Sequence, residues 1–591
     1  MTASTSTTTS TSASASTARA RVAPRWHRPH TPDAAIVAAL ARELKLPPLV
    51  CELLTIRGYV DAAEAKHFLR PRLDQLHAPG LMLGMDAAVA RLTTAIGSGE
   101  TILVHGDYDV DGMCSTTIMV RVIRQLGGRA VPFLPHRLTD GYDLTDAGVR
   151  AATEAGATVV LTCDCGTSAH EAIDKLSAAG IDVIVSDHHL PSRAVPSCLA
   201  VLNPRQPGCA YPDKDLCAAG VAFKLSLALL QSFGASDNIA FGLLDLVALA
   251  TVADVAPLRG ENRVMVRFGL KLMGETKVLG LRALIESANL EPSTLTAGRV
   301  GFILAPRLNA AGRIGHAMSG VALLLTSDRA EANRIARELE ELNRARQEID
   351  RDTLATARAM ADRLDLDETF GVVLGAEGWH PGVIGIVASR LVEDLARPVL
   401  LVAFDRGVGK GSGRSIPAFD LHGGLTACKD LLTRYGGHRA AAGITIDAAN
   451  MDAFSRRFND VARGCLTSDD LVPRLRIDVE LTLDDITDDL ETLLKHFEPF
   501  GVGNPSPVFA VKGARVVGAP RVVGQGGLKL QLAMSDGTLE AIGWGMGDRA
   551  RELSPVAGAA HATGIDVAFR LERDSYGGQS RLVARLADLR T

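Results

Sequence analysis

The feature that most constrains this chain lies in residues 101–203, where short apolar runs (TILV, AVPFL, ATVVLT, IDVIVS and LAVLN) alternate with helix-like segments at residues 115–126 and 169–179. Strands alternating with helices imply βαβ units and therefore a parallel sheet. Open sheets of this kind build their sites at the carboxyl ends of the strands. TILV runs directly into HGDYDVDG and so delivers His105, Asp107, Asp109 and Asp111 to one such end. ATVVLT ends at Asp164 in CDCGTS, and IDVIVS ends at Asp187, His188 and His189.

A surface acidic turn would account for a lone DxD. It does not account for the same arrangement recurring at neighbouring strand ends, because carboxylates brought together repel unless cations neutralise them. Asp254 in ALATVADVAPL joins the set, since an acidic residue within an apolar helix is costly to bury without a cation or a hydrogen-bond partner. Asp245 in the same stretch weakens that argument. Oxygen ligands with one or two imidazoles suit Mn²⁺ or Mg²⁺ better than a thiolate-loving metal. Cys163 and Cys165 accordingly read as small residues filling a strand end.

With 591 residues and 47% hydrophobic content, the chain has material for three or four cores. The formal net charge of −5 excludes a globally basic coat for nucleic acid, so any polyanion site is a local concentration of Arg and Lys. Nine cysteines without a CxxC pair fit a reducing cytoplasm rather than a disulfide framework. The apolar stretch 241–258, interrupted by Asp245 and Asp254, reads as a buried helix, and no membrane span is expected.

Residues 1–32, rich in Ser, Thr and Ala and without an acidic residue, read as a disordered tail, with a transit peptide as the alternative. Residues 33–98 follow as a helical segment and 99–327 as the α/β domain that carries the acidic and histidine motifs. A charged stretch over 328–366 is a connecting helix. Residues 367–465 form a second α/β domain with two glycine-rich loops, and residues 466–591 carry five strand-like runs that suggest an OB-type β-barrel.

HGDYDVDG, DCGTS, SDHH and ADVAPL are similar, in order and spacing, to the successive motifs of the DHH phosphoesterases. APRLNAAGR, GWHPGVIGIVASR, GSGRS and YGGHRAAAG look like the RecJ-type exonucleases within that family, and the match covers roughly residues 75–591. The resemblance implies a parallel-sheet DHH domain joined by a long helix to a DHHA1-type α/β domain, followed by an OB-type barrel. It implies two divalent cations, one on His105, Asp109 and Asp164 and the other on Asp111, Asp164, His188 and Asp254, with Asp164 bridging. Asp107 would assist these ligands. His189 would contact the scissile phosphate or protonate the leaving oxygen, oriented by Asp187.

Basic and polar residues stand where a polyanion would pass: Arg137 in HRLTDGYDL, then Arg307, Asn309 and Arg313 in PRLNAAGR. In the second domain Ser412, Arg414 and His438 add donors to loops whose glycines let backbone N–H groups approach a phosphate. The resemblance implies that this domain holds a terminal 5′-phosphate, giving 5′→3′ hydrolysis of single-stranded DNA in repair and recombination. It further implies a monomer, with a single-strand-binding protein or a helicase as protein partners. Arg515, Arg521, Lys529 and Trp544 of the barrel would contact the strand farther along. Rival readings are a DHH oligoribonuclease or cyclic-dinucleotide phosphodiesterase, and a scaffold that kept the fold without the chemistry.

Overall fold

The computed structural model describes residues 23–137, 139–191, 194–553, 564–574 and 580–591. The chain divides into two compact units, His27–Gln347 with Arg476–Thr591, and Glu348–Leu475 with the N-terminal segment that ends at Trp26.

The first unit is organised by a parallel sheet of β1 (Thr101–Gly106), β2 (Arg129–Phe133), β3 (Val159–Cys163), β4 (Asp182–Ser186) and β5 (Ala200–Leu202), in the order β2-β1-β3-β4-β5. These are the five apolar runs. Along β1 the side chains alternate between two cores, with Ile102 and Val104 in one and Leu103 in the other, as the two-residue period of a strand demands.

Helix α1 (Val110–Gln125) leaves β1 and is capped by Asp109, whose carboxylate accepts from the N–H groups of Asp111 and Gly112. Helices α2 (Asp146–Glu154) and α3 (His170–Ala178) form crossovers. Beyond the sheet come α4 (Ala218–Ser232), α5 (Leu244–Ala253), α6 (Gly260–Met273) and α7 (Ala305–Ile314). Helix α5 is buried along most of its length and contains Asp245, whose carboxylate is satisfied by the Thr276 hydroxyl and the Leu246 N–H. Asp245 is thus a structural residue. No helix of the described residues is long and apolar enough to cross a membrane, and the nine cysteines are free thiols.

The charged stretch forms one helix, α8 (Arg329–Ala361). In the second unit β6 (Val372–Glu377) leads to α9 (Ile384–Leu395), β7 (Val399–Asp405), β8 (Val408–Arg414), β9 (Arg434–Gly437) and β10 (Ala441–Asp447). The sheet order is β9-β10-β8-β7-β6, parallel only between β6 and β7.

The barrel belongs to the first unit. Its strands are β11 (Val479–Glu480), β12 (Phe509–Ala514), β13 (Arg521–Val523), β14 (Gly527–Met534), β15 (Gly537–Gly543), β16 (Ile565–Asp574) and β17 (Arg581–Arg590), ordered β11-β12-β16-β17-β15-β14-β13.

Two segments depart from the sequence reading. Residues 33–98 are divided between cores: Leu53, Leu54 and Phe68 join barrel residues such as Phe497, Phe509 and Phe569, whereas Met85, Leu92 and Ile96 join the catalytic core. The expected tail over 1–32 falls outside the described residues as far as residue 22. Beyond it Arg25–His27 forms a strand, because the Arg25 N–H donates to the Pro473 carbonyl and its guanidinium pairs with Asp469.

Candidate metal centre and nucleic-acid cleft

The turn after β1 is shaped by glycine. A Cβ on Gly106 would collide with the Thr116 hydroxyl, and one on Gly112 with the Asp107 carbonyl, so the loop carrying Asp107 and Asp109 folds tightly onto the first turn of α1. Asp111 lies in that turn, fully buried, and accepts from the N–H groups of Ala218 at 2.7 Å and Ala219 at 2.8 Å. Asp164 follows β3 with φ of 70°, and Val255, the residue after Asp254, has φ of 62°. Left-handed backbone at non-glycine residues is uncommon and concentrates at functional sites.

These elements bring the acidic and histidine side chains into groups whose ligand atoms lie within 4.8 Å of one another: Asp107, Asp109 and Asp164; Asp111, His188 and Asp254; and Asp164, His188 and His189. His188 Nε2 stands 3.2 Å from Asp164 and 3.7 Å from Asp111, and Nδ1 stands 3.9 Å from Asp254. Burial, then the neighbouring carboxylates, pushes the Asp111 carboxyl up to about 7 and that of Asp254 up to about 8. The same causes raise Asp107 and Asp164 well above the ordinary range. Burial, reinforced by the charge on His189, lowers His188 to about 3.

Asp107 Oδ1, Asp164 Oδ1 and His188 Nε2 are buried without a hydrogen-bond partner. Buried polar atoms are normally paired, so three orphaned electron-pair donors within a cluster of carboxylates fit divalent cations with oxygen and imidazole ligands. His188 Nε2, lowered in basicity and unpaired, thus faces the carboxylates of Asp164 and Asp111.

His189 is placed differently. Its Nδ1 lies 2.7 Å from Asp187 Oδ1, which also accepts from the His188 and His189 N–H groups, while Oδ2 accepts from Thr167. Burial alone would lower the imidazole, but the hydrogen bond and charge of Asp187 hold it up at about 9. Nε2 faces the Tyr142 hydroxyl at 3.1 Å. Sequence reasoning missed Tyr142, although it sits in the same GYDL segment as the Arg137 loop.

Asp107, Asp109 and Asp254 open on a cleft of about 300 Å³ also lined by Tyr108, Arg137, Tyr142, Asn309 and Arg313. Arg137 stacks on the Tyr108 ring at 4.9 Å. A Cβ on Gly312 would collide with the Tyr108 carbonyl, so only glycine lets α7 approach closely enough to present Asn309 and Arg313.

Two expected site residues point elsewhere. His105 is fully buried, with Nδ1 3.4 Å from Cys165 Sγ and its ring against Gly148 and Phe133, and it belongs to none of the ligand groups. The alternation along β1 turns its side chain away, and Asp107 takes the place beside Asp109 and Asp164. Arg307 pairs with Glu340 at 2.6 Å and donates to the Ile303 carbonyl. Two residues before Asn309, it lies about 200° around the helix from it, on the opposite face.

In the second unit, Ser412 and Arg414, expected in a glycine-rich loop, lie instead on strand β8, paired on both sides, and face the first turn of α9: a Cβ on Gly385 would sit 2.8 Å from Ser412 Oγ and 3.1 Å from Arg414 Nη2. Arg414 donates to Ser412 Oγ at 3.2 Å, and β10 pairs alongside. His438 occupies the turn between β9 and β10, its N–H on the Ala441 carbonyl. On the barrel, Trp544 is 63% exposed with Arg585 over its ring, Arg521 pairs in register with Lys529, and Lys529 contacts Glu540 at 2.8 Å.

Family models match in the same order as these parts: the DHH family N-terminal domain over residues 101–251, the DHHA1 domain over 368–464 and the RecJ OB domain over 477–588. The single-stranded-DNA-specific exonuclease RecJ of Escherichia coli is 37% identical over 484 residues, covering 79% of this chain and 83% of that protein. The chain belongs to the RecJ family. RecJ of Bacillus subtilis is 36% identical over 531 residues, 89% of this chain, and the chain spans 66% of its length. The crystal structure of RecJ from Thermus thermophilus in complex with Mn²⁺ superposes with a TM-score of 0.81 at 33% identity, covering 96% of this chain and 79% of that one. The same protein in complex with Mg²⁺ gives 0.75 at 32% identity.

Proposed function

We propose that the chain is a metal-dependent exonuclease that hydrolyses phosphodiester bonds of single-stranded DNA from the 5′ end towards the 3′ end, acting in DNA repair and recombination. The observation that carries this reading is the clustering of Asp107, Asp109, Asp111, Asp164, His188 and Asp254, with buried ligand atoms left unpaired, behind a cleft on which Asp107, Asp109 and Asp254 open. Two divalent cations, Mn²⁺ or Mg²⁺, are the cofactors. Asp107, Asp109 and Asp164 would hold one, and Asp111, His188 and Asp254 the other. In such sites cations neutralise phosphate charge and make water nucleophilic at neutral pH.

The protein's own groups do the remainder. Arg137, Asn309 and Arg313 fix the phosphates of the strand along the cleft. His189, kept protonated by Asp187, stabilises charge on the scissile phosphate or hands its proton to the leaving oxygen. In the second unit Ser412, Arg414 and His438, beside glycine-rich backbone, take the terminal 5′-phosphate.

The test uses single- and double-stranded oligodeoxynucleotides labelled at either end, with and without Mn²⁺. The expected result is cation-dependent release of mononucleotides from the 5′ end of single strands only, abolished by Asp164→Ala. Arg414→Ala should reduce the advantage of 5′-phosphorylated over 5′-hydroxyl strands roughly tenfold, as a charge-assisted contact predicts. Release from the 3′ end, or a preference for short oligoribonucleotides or cyclic dinucleotides, overturns the reading.

A further inference from the structure

Asp254 is presented by an unusual piece of backbone. It closes α5, and the next residue, Val255, takes the left-handed conformation, with φ of 62°, in which helices commonly terminate at glycine. A β-branched residue rarely adopts it. Val255 is 60% exposed, so side-chain packing contributes little, and the turn is closed by the Ala256 N–H on the Thr251 carbonyl at 3.1 Å.

The residues that follow are gripped by the segment leading into the barrel. The Leu258 N–H donates to the Val502 carbonyl at 2.7 Å, and Arg259 Nε donates to the Gly503 carbonyl at 2.6 Å. Two glycines make the approach possible: a Cβ on Gly503, itself at φ of 73°, would sit 3.0 Å from Pro257, and one on Gly501 would sit 2.7 Å from Leu258. The gripping loop is itself tied down. Gly501 and Asn504 exchange backbone hydrogen bonds, and Asn504 Nδ2 donates to the Phe497 and Pro499 carbonyls, both at 2.8 Å. Arg57 donates to Asn504 Oδ1, and Arg263 donates to the carbonyls of Phe68, His496 and Phe497. A second link runs towards Asp111: Asn262 Nδ2 donates to the Pro257 carbonyl and to that of Asp215, just before the α4 N-terminus that holds the Asp111 carboxylate.

We propose that residues 500–504 form a brace that sets the position of Asp254, and that Gly503, Asn504 and Arg259 are positioning residues for the cation site of Asp111, His188 and Asp254. The barrel segment thereby completes a metal site whose ligands all come from the catalytic domain. This rests on the reading of Asp254 as a cation ligand. The brace keeps Pro257–Arg259 fixed, and the fixed chain keeps Val255 left-handed and Asp254 turned to its partners.

The test is a Mn²⁺ titration of the full chain, followed by calorimetry and by the electron paramagnetic resonance signal of free Mn²⁺. Gly503→Ala is expected to weaken one class of Mn²⁺ site about tenfold or more, the range for residues that orient ligands without binding metal, and to leave the other class unchanged. Adding Val255→Gly to that variant should recover most of the loss, because glycine takes the left-handed conformation unaided. A variant damaged only in barrel docking would not recover. Arg259→Ala, which inserts no atoms, should weaken the same class several-fold and decides the matter if Gly503→Ala fails to fold. If Asp254→Asn weakens one class while Gly503→Ala and Arg259→Ala weaken neither, the brace is overturned. If Asp254→Asn weakens neither class, it is the ligand reading that falls.

Discussion

At the scale of single residues, the contrast between His188 and His189 is the most informative. They are adjacent in the chain and both buried or partly buried, yet one is held neutral at about 3 and the other charged at about 9. The difference is Asp187, which accepts from the His189 ring and from both backbone N–H groups. His189→Ala should therefore retain both Mn²⁺ equivalents and lose about 10²–10⁴-fold in rate, the usual contribution of a proton-donating or charge-stabilising group. Parallel Mn²⁺ titration and single-turnover cleavage check this. Loss of a Mn²⁺ equivalent would make His189 a ligand. Tyr142→Phe removes the hydroxyl that faces Nε2 and keeps the ring, so its effect on rate should be smaller than that of His189→Ala in the same assay.

At the scale of elements, the strand ends concentrate charge that the fold alone does not neutralise. Asp111 and Asp254 rise to about 7 and about 8, against roughly 3.9 in an unfolded chain. A carboxyl with a raised folded pKa contributes its stability below the unfolded value and loses it as pH climbs through the folded value. His189, raised to about 9, acts in the same sense above about pH 6.5. His105 and His188, lowered to about 4 and about 3, act in the opposite sense, but chiefly below about pH 6.5. In EDTA the melting temperature should thus fall by a few degrees between pH 6.5 and 8.5, and saturating Mg²⁺ should close the gap. Scanning calorimetry at the two pH values checks it; an EDTA melting point independent of pH would contradict it.

How far these elements could be read from residues follows from the same physics. The five parallel strands and α8 announce themselves through unbroken apolar runs and a long Gly- and Pro-free charged stretch. Asp107, Asp109, Asp164 and Asp187 stood out because they follow those runs, and Asp254 because it ends an apolar helix. His105 was misplaced because a motif conveys order but not which way a side chain leaves a strand, and Arg307 because a loop-like motif proved to be a helix with two faces. Tyr142 carries neither charge nor periodicity. The brace at Gly501 and Gly503 reads locally as an ordinary turn, since its partner Pro257 is remote in sequence.

At the scale of the whole molecule, the helices Ala34–Leu44, Pro48–Ile56 and Ala62–Leu69 and the barrel share one hydrophobic core even though the catalytic domain and the second unit lie between them in sequence. Removing residues 476–591 should strip Leu53, Leu54 and Phe68 of their barrel partners, leaving only contacts such as Tyr59 on the Phe68 ring. Hydrogen exchange over residues 34–69 should then become fast, while the strands of the catalytic sheet stay protected. Equal protection of residues 34–69 in the truncated and full chains would show that these helices fold alone.

That shared core also has a consequence in time. About 440 residues of synthesis separate Phe68 from Phe509, on the order of 20–90 s at ordinary ribosomal rates. Through that interval the first helices have emerged and the surface they bury against does not yet exist. The catalytic sheet can form behind them, but the start of the chain stays open to chaperones, proteases and neighbouring nascent chains until its last segment leaves the ribosome.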